Sequence, residues 1–401
     1  MTPITVRPVY ARTTQSMPVA TERPLPPHNR LAVHWGPLLD LGPAPMAPVR
    51  LRLLQPVAEW LADDSGPWSW CSRISLPGIR HQVVVHAGLP SYAAGSPSAL
   101  AVELRSPAWQ QLLAALDRFA ELDWRRRSLV AFQLAQLSYH RIALRLAAPD
   151  APEHFRYELA RIAASTPGEG ARALQTFQEL ATGASEPLLR VGAAFQGIGH
   201  SLRDRRGPGT ARWFELRGQE TLSAVPAVDW VSTLIRSRFH RAVALLRLTE
   251  QDRPAAQAEA GQAAEFHEQL VAWSKDSAAE LIAAENRRYL LQLELQLVSP
   301  TDIPAIEALC AELAEVDPYC VETRTTIGDS WLAAGETARA AAWYERAGQL
   351  GTGAGAVAWY RAGQCHEALG DPAAALNAMG RCLELDPSAV EPRAALAATY
   401  R

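Results

Sequence analysis

Ten histidines and one glycine-rich stretch are the residues of this chain whose types could support chemistry. Imidazoles bind zinc or transfer protons when they stand at a spacing that brings them together. His81 and His86 lie on a predicted strand, five positions apart, so they point to opposite faces. The sequence contains no H-E-x-x-H, E-x-x-H or H-x-x-x-H motif. It therefore predicts no metal site and no cofactor.

The glycine-rich stretch reads "GTGAGA" at residues 351–356. A P-loop needs a lysine after the glycines, and the sole lysine of the chain is Lys275. A dinucleotide-binding fingerprint needs a strand before the glycines and a third glycine where Ala356 stands. The preceding residues, "RAAAWYERAGQL", have a helical pattern instead. We interpret residues 351–355 as a linker between two helices.

An enzyme remains the alternative hypothesis for this chain. Its site would lie between the N-terminal region and the first helices and would be assembled from residues distant in sequence. The candidates are His28, His34, His81 and His86, with nearby arginines. No motif identifies a catalytic residue among them.

Charge is distributed unevenly along the chain. Residues 1–260 hold 29 arginines against 22 acidic residues, a balance of +7, whereas residues 261–401 hold 10 basic against 20 acidic residues, a balance of −10. Basic runs with an aromatic neighbour, "DWRRRS" (123–128) and "RSRFHR" (236–241), resemble nucleic-acid contacts. However, the balance of +7 is too small to favour nucleic acid as a partner, and the acidic part would repel it. The acidic part favours a neutral or basic partner.

Cysteine content and hydropathy indicate the cellular compartment in which the protein is expected. The five cysteines are odd in number and include no C-x-x-C pair, which suits a reducing cytoplasm. No run of about 18 apolar residues occurs, so we predict no membrane-spanning helix. We expect a cytoplasmic protein.

The elements fall into four predicted regions. Residues 1–29 are a flexible tail rich in proline and threonine, and residues 30–105 form a small mixed α/β module with short strands. Ser106 and Pro107 then open a series of helical patterns separated by short breaks. We divide this series into a helical repeat-like region, 106–316, and a repeat region, 317–401. The fold class predicted is mainly α, an α-solenoid of antiparallel helix pairs with a small N-terminal module containing β-strands.

The last ninety or so residues repeat themselves with an offset of 35 positions. The matching pairs are Gly328 with Gly363, Gly335 with Gly370, Ala340 with Ala375, Tyr344 with Met379, and Ala347 with Cys382. Small residues would let paired helices approach closely, and large ones such as Trp331 and Trp359 would fill the space between pairs. A single pair cannot bury its apolar face alone, so the pairs must stack.

This pattern resembles the tetratricopeptide repeat, a unit of about 34 residues and two helices. The resemblance covers residues 320–401 and leaves the rest of the chain unassigned. Three departures from the family pattern are His366 in place of an aromatic residue, Thr352 in place of the closing proline, and a first unit that is one residue too long. Asp317 and Pro318 resemble the end of an earlier unit.

The resemblance implies a concave groove, lined by the first helix of each pair, that takes an extended peptide or a partner helix. Carried over by position, the groove residues are Glu322, Asp329, Leu332, Tyr360, Gln364, Glu367 and Glu391. Four of these seven are acidic, so we expect a protein or peptide partner that is neutral or basic. The implied function is that of a scaffold or adaptor, possible roles being presentation of a peptide to a partner enzyme or gating of a regulator. A further hypothesis is homo-oligomerisation through the apolar face of the C-terminal helix at 389–400.

Overall fold

A computed structural model describes residues 113–385, apart from short gaps at 137–139, 167, 204–207, 275–279, 317–320 and 350–352, together with residues 389 and 392. The predicted tail (1–29) and mixed module (30–105), with its strands, lie outside the described residues. Contacts divide the described chain between Leu297 and Val298 into two compact units. We call them the N-terminal unit (113–297) and the C-terminal unit (298–392).

All regular elements of the described residues are helical. The N-terminal unit has a 3-10 turn at Phe119–Glu121 and then α1 (Trp124–Gln136), α2 (His140–Arg145), α3 (Glu153–Ala164), α4 (Gly170–Gly183), α5 (Pro187–Arg203), α6 (Pro208–Leu222), α7 (Trp230–Thr249), α8 (Arg253–Ser274) and α9 (Glu280–Leu297). The C-terminal unit has α10 (Ile303–Val316), α11 (Val321–Ala333), α12 (Thr337–Gly348), α13 (Gly353–Ala368) and α14 (Pro372–Leu385).

Short loops fold consecutive helices back on each other, so that they form packed pairs. In the N-terminal unit the pairs are α3 with α4, α5 with α6 and α7 with α8, and the first helix of each pair also contacts the first helix of the next. In the C-terminal unit α11 pairs with α12 and α13 with α14, and α11 contacts α13. The prediction of a mainly α fold built from paired helices is therefore confirmed for the described residues.

Two repeated glycines allow the close packing expected from the sequence. A Cβ atom on Gly328 would lie 2.6 Å from the Tyr344 ring, and one on Gly363 would lie 2.7 Å from Cε of Met379. The same arrangement occurs upstream, where a Cβ on Gly197 of α5 would lie 2.4 Å from the Phe214 ring of α6. Close packing of a helix glycine against a large side chain of the following helix thus extends into a pair that the sequence comparison left unassigned.

Three helix pairs share the same tight turn. Gly335 (φ +81°) and Gly370 (φ +75°) take the left-handed conformation just after the first helix of their pair. The next amide, on Glu336 or Asp371, donates to the carbonyl five residues back, at 2.9 Å in both turns. This is the Schellman arrangement that closes a helix. Gln251 (φ +62°) makes the same turn between α7 and α8 without a glycine.

The glycine-rich stretch is partly helical, which differs from the interpretation as a linker throughout. Helix α13 begins at Gly353, so residues 353–355 form its first turn, and residues 350–352 lie outside the described residues. Helix formation across these glycines is supported by tertiary packing, because α13 contacts α11, α12 and α14.

Candidate binding groove

Helices α11 and α13 lie beside each other in the C-terminal unit, with α12 and α14 packed against them. Apolar side chains on α12 and α14 fill the space behind, and Tyr344 of α12 and Cys382 of α14 are fully buried. The remaining face of α11 and α13 therefore carries the residues that are exposed to solvent. We call this face the groove.

The predicted groove residues differ in how much surface they offer. Glu322, Asp329 and Glu367 are exposed, and Leu332 and Gln364 are half-buried. Tyr360 is only 8% exposed and belongs to an apolar cluster with Ala356, Met379 and Cys382. It presents little surface to a ligand, because its ring contributes to the packing between α13 and α14. Glu391 lies outside the described residues.

Asp329 is held in place by two side chains. The hydroxyl of Tyr344 donates a hydrogen bond to Asp329 Oδ1 at 2.5 Å, and Nη1 of Arg361 forms an ion pair with the same oxygen at 2.5 Å. Burial, reinforced by the negative charge of Asp329, raises the pKa of Tyr344 well above its usual range, so the hydroxyl remains a donor. The positive charge of Arg361 offsets one of the acidic groups predicted for the groove.

Arg361 was missed by the sequence analysis. It follows Tyr360 on α13 and reaches back to α11. Its position in the repeat could have indicated this contact. Asp329 and Arg361 are 32 residues apart, close to the length of one repeat, so they lie at similar places on the neighbouring helices α11 and α13.

Gln364 has a buried acceptor that is not satisfied within the described residues. Its Oε1 is inaccessible to solvent and accepts no hydrogen bond there. A buried polar atom without a partner costs about 1–3 kcal/mol.

The described histidines make contacts between helices. His366 Nε2 lies 2.8 Å from Glu345 Oε1, and His240 Nδ1 lies 2.7 Å from Glu259 Oε2. His200 Nε2 lies 2.9 Å from the carbonyl oxygen of Gly170. No group of three or more metal-ligating side chains occurs in the described part of the chain. The four histidines of the enzyme hypothesis lie outside it.

The basic run 236–241 contacts the protein's own structure. Arg236 donates to the carbonyl oxygens of Val225 (2.5 Å) and Leu222 (2.7 Å), and Arg238 is buried beside Glu285. In the other basic run, Arg127 stacks on the ring of Trp124 at 4.3 Å. These arginines are used in packing between elements of the N-terminal unit. Among the helices that can be described, none is long and apolar enough to cross a membrane.

Comparison with known proteins assigns the C-terminal repeat. The model of the tetratricopeptide repeat matches residues 356–389, which cover most of α13 and all of α14. A crystal structure of a tetratricopeptide repeat protein from Parabacteroides merdae is similar over 73% of this chain and 98% of that chain, with 13% identity and a TM-score of 0.38. No curated protein matches the sequence. The predicted resemblance at the C-terminus is confirmed: this part of the chain carries a tetratricopeptide repeat.

Proposed function

We propose that the chain is a protein-interaction scaffold whose groove on α11 and α13 holds an extended segment of a partner. The observation that supports this proposal is the matched tetratricopeptide repeat at 356–389, whose first helix lies beside α11 and exposes Glu367. We further propose that the chain presents the bound segment to a partner enzyme or regulator.

The charge of the groove supports a neutral or basic segment as the partner. Glu322, Asp329 and Glu367 are exposed on α11 and α13, against one arginine, Arg361, that pairs with Asp329. An acidic segment would meet like charge along the groove, which slows association and weakens binding. A basic side chain could instead pair with Glu322 near the start of α11 or with Glu367 near the end of α13, neither of which has a positive residue as its partner in the described interactions.

The test is an array of extended peptides that differ only in net charge, probed with the full chain. Two variants are compared with the wild type. The groove variant carries Glu322→Lys and Glu367→Lys, and the matched control carries Glu307→Lys and Glu315→Lys on exposed positions of α10. Both variants change the net charge equally, so they separate a local effect from a general one.

We expect the wild type and the α10 control to prefer basic and neutral peptides over acidic ones. We expect the groove variant to lose that preference, because attraction is replaced by repulsion at the same positions. Tight binding of acidic peptides by the wild type would contradict the proposal that the partner segment is neutral or basic. The same change in charge preference in both variants would contradict the proposal that the peptide binds along the groove.

A further inference from the structure

The ion pair of Asp329 and Arg361, which we call the groove ion pair, joins the two helices of the groove through a single contact. Nη1 of Arg361 lies 2.5 Å from Oδ1 of Asp329. The same oxygen accepts the hydrogen bond from the hydroxyl of Tyr344. A guanidinium and a carboxylate frequently form two parallel hydrogen bonds. Among the described interactions of this pair, only one of the two is formed.

The groove ion pair therefore leaves an acceptor and donors unused. Oδ2 of Asp329 accepts no hydrogen bond in the described interactions, and Nη2 and Nε of Arg361 donate none. Oδ2 shares a carbon atom with Oδ1, as Nη2 does with Nη1, so the unused atoms of the two side chains lie close to each other. One side of the pair can therefore offer an acceptor and a donor together.

Solvent reaches these unused atoms. The side chain of Asp329 is 50% exposed and that of Arg361 is 19% exposed. In the part of the chain that the structure describes, the buried polar atoms without a hydrogen bond include no nitrogen of Arg361. A group on a bound segment could therefore contact Oδ2 and Nη2 without displacing any side chain.

The groove ion pair is also held in position. Tyr344 is fully buried, and its hydroxyl fixes the carboxylate of Asp329. The guanidinium of Arg361 lies over the ring of the same tyrosine, 5.8 Å from the centroid. Groups that are already fixed lose little conformational freedom when a ligand binds, so their hydrogen bonds contribute more to affinity.

The charges of the groove ion pair select against an ionic ligand at this point. Neither residue forms a second ion pair in the described interactions. A lysine of the partner would be attracted by Asp329 and repelled by Arg361, and a carboxylate would meet the reverse. A primary carboxamide is neutral and carries N–H donors and an acceptor oxygen on one group. It could donate to Oδ2 of Asp329 and accept from Nη2 of Arg361 at the same time.

We propose that the groove ion pair recognises the side chain of an asparagine or glutamine in the partner segment. This inference rests on the proposed function and adds a determinant of specificity to it. The exposed Glu322 and Glu367 select the charge of the segment, whereas Asp329 and Arg361 select a carboxamide at one of its positions.

The test is a position scan of the tightest neutral peptide from the array described above. Each residue is replaced in turn by asparagine, glutamine, aspartate and leucine, and binding to the full chain is measured by calorimetric titration. We expect one position at which asparagine or glutamine binds about tenfold more tightly than leucine, because the carboxamide forms two hydrogen bonds to charged groups. Aspartate at that position should lose the advantage, since it has no donor.

Two protein variants assign this preference to the groove ion pair. Arg361→Met removes the donors and keeps most of the apolar stem, so we expect the peptides with a carboxamide and with leucine to bind equally. The matched control is Arg381→Met on α14, whose arginine also forms an ion pair on the surface, with Glu384 at 3.0 Å. This control should retain the tenfold preference.

Two results would overturn the inference while leaving the proposed function intact. One is a wild-type scan in which peptides bind but no position prefers a carboxamide to leucine. The other is an unchanged preference in Arg361→Met. Absence of binding by every peptide of the array would instead contradict the proposed function, and this inference with it. The scan uses the wild type alone, so it decides the question even if the variant fails to fold.

Discussion

One residue in left-handed conformation closes the first helix of three pairs. Gly335 and Gly370 occupy this position in the C-terminal unit, and Gln251 occupies it between α7 and α8. An L-residue with a Cβ pays about 1–2 kcal/mol for this conformation, whereas glycine adopts it freely. The offset of 35 residues identified the two glycines from sequence. It could not identify Gln251, because the residue type that signals the turn is missing there.

We expect Gln251→Gly to stabilise the chain by about 0.5–1 kcal/mol, since glycine removes the strain at φ +62° but increases the entropy of the unfolded chain. The measurement is urea unfolding followed by circular dichroism. Gly335→Ala is the opposite change. A Cβ on Gly335 would contact nothing within 4 Å, so its expected cost of about 1 kcal/mol is purely conformational. Destabilisation by Gln251→Gly would contradict this account of the turn.

Packing between paired helices depends on whether the residue opposite a glycine can move. Tyr344 is fully buried and its hydroxyl is bonded to Asp329, so its ring cannot withdraw from Gly328. Met379 presents the flexible end of its side chain to Gly363. The sequence predicted close approach at both glycines from the repeat, but not that Tyr344 and Met379 are the side chains opposite them. It missed Gly197 and Phe214, which are separated by 17 residues rather than the 16 that separate Gly328 from Tyr344.

Three alanine substitutions in the C-terminal unit should therefore rank in a definite order. We expect Gly328→Ala to destabilise by about 2–3 kcal/mol through overpacking, and Gly363→Ala by less, about 1 kcal/mol. Gly380→Ala on α14 should stabilise by about 0.5–1 kcal/mol, because nothing lies within 4 Å of the new Cβ and alanine favours a helix. Thermal and urea unfolding of the three variants check the order. A cost for Gly363→Ala equal to that for Gly328→Ala would contradict the role of the fixed tyrosine.

Across the whole molecule, the sequence predicted the packing that recurs from one repeat to the next. It did not predict the contacts that depend on how neighbouring helices pack. Residues 320–401 were identified because small and large residues recur at one offset, which records the packing directly. The groove charge was predicted only in part, because Arg361 becomes relevant to Asp329 only when α11 and α13 lie side by side. The placement of Tyr360 in the core and the sharing of Glu285 between two arginines were also invisible. Tyr360 packs between the consecutive helices α13 and α14, and Glu285 pairs with Arg238 of α7 as well as with Arg288 of its own helix, so both features depend on tertiary packing that the repeat does not record.

The two units use charge in different ways. Arginines of the basic run 236–241 are buried or half-buried in the N-terminal unit, where they pair with carboxylates, carbonyls and aromatic rings. The C-terminal unit instead exposes Glu322 and Glu367 on the first helices of its pairs. A partner that is drawn to the groove by charge would therefore bind through the C-terminal unit.

The central claim, that a partner segment binds along α11 and α13, is tested most directly by hydrogen exchange with and without the tightest peptide from the charge-varied array. Backbone amides of a helix exchange more slowly when a ligand stabilises that helix. We predict that slowing is greatest at residues 321–333 and 353–368. Slowing confined to α12 and α14, or found only in the N-terminal unit, would contradict the account.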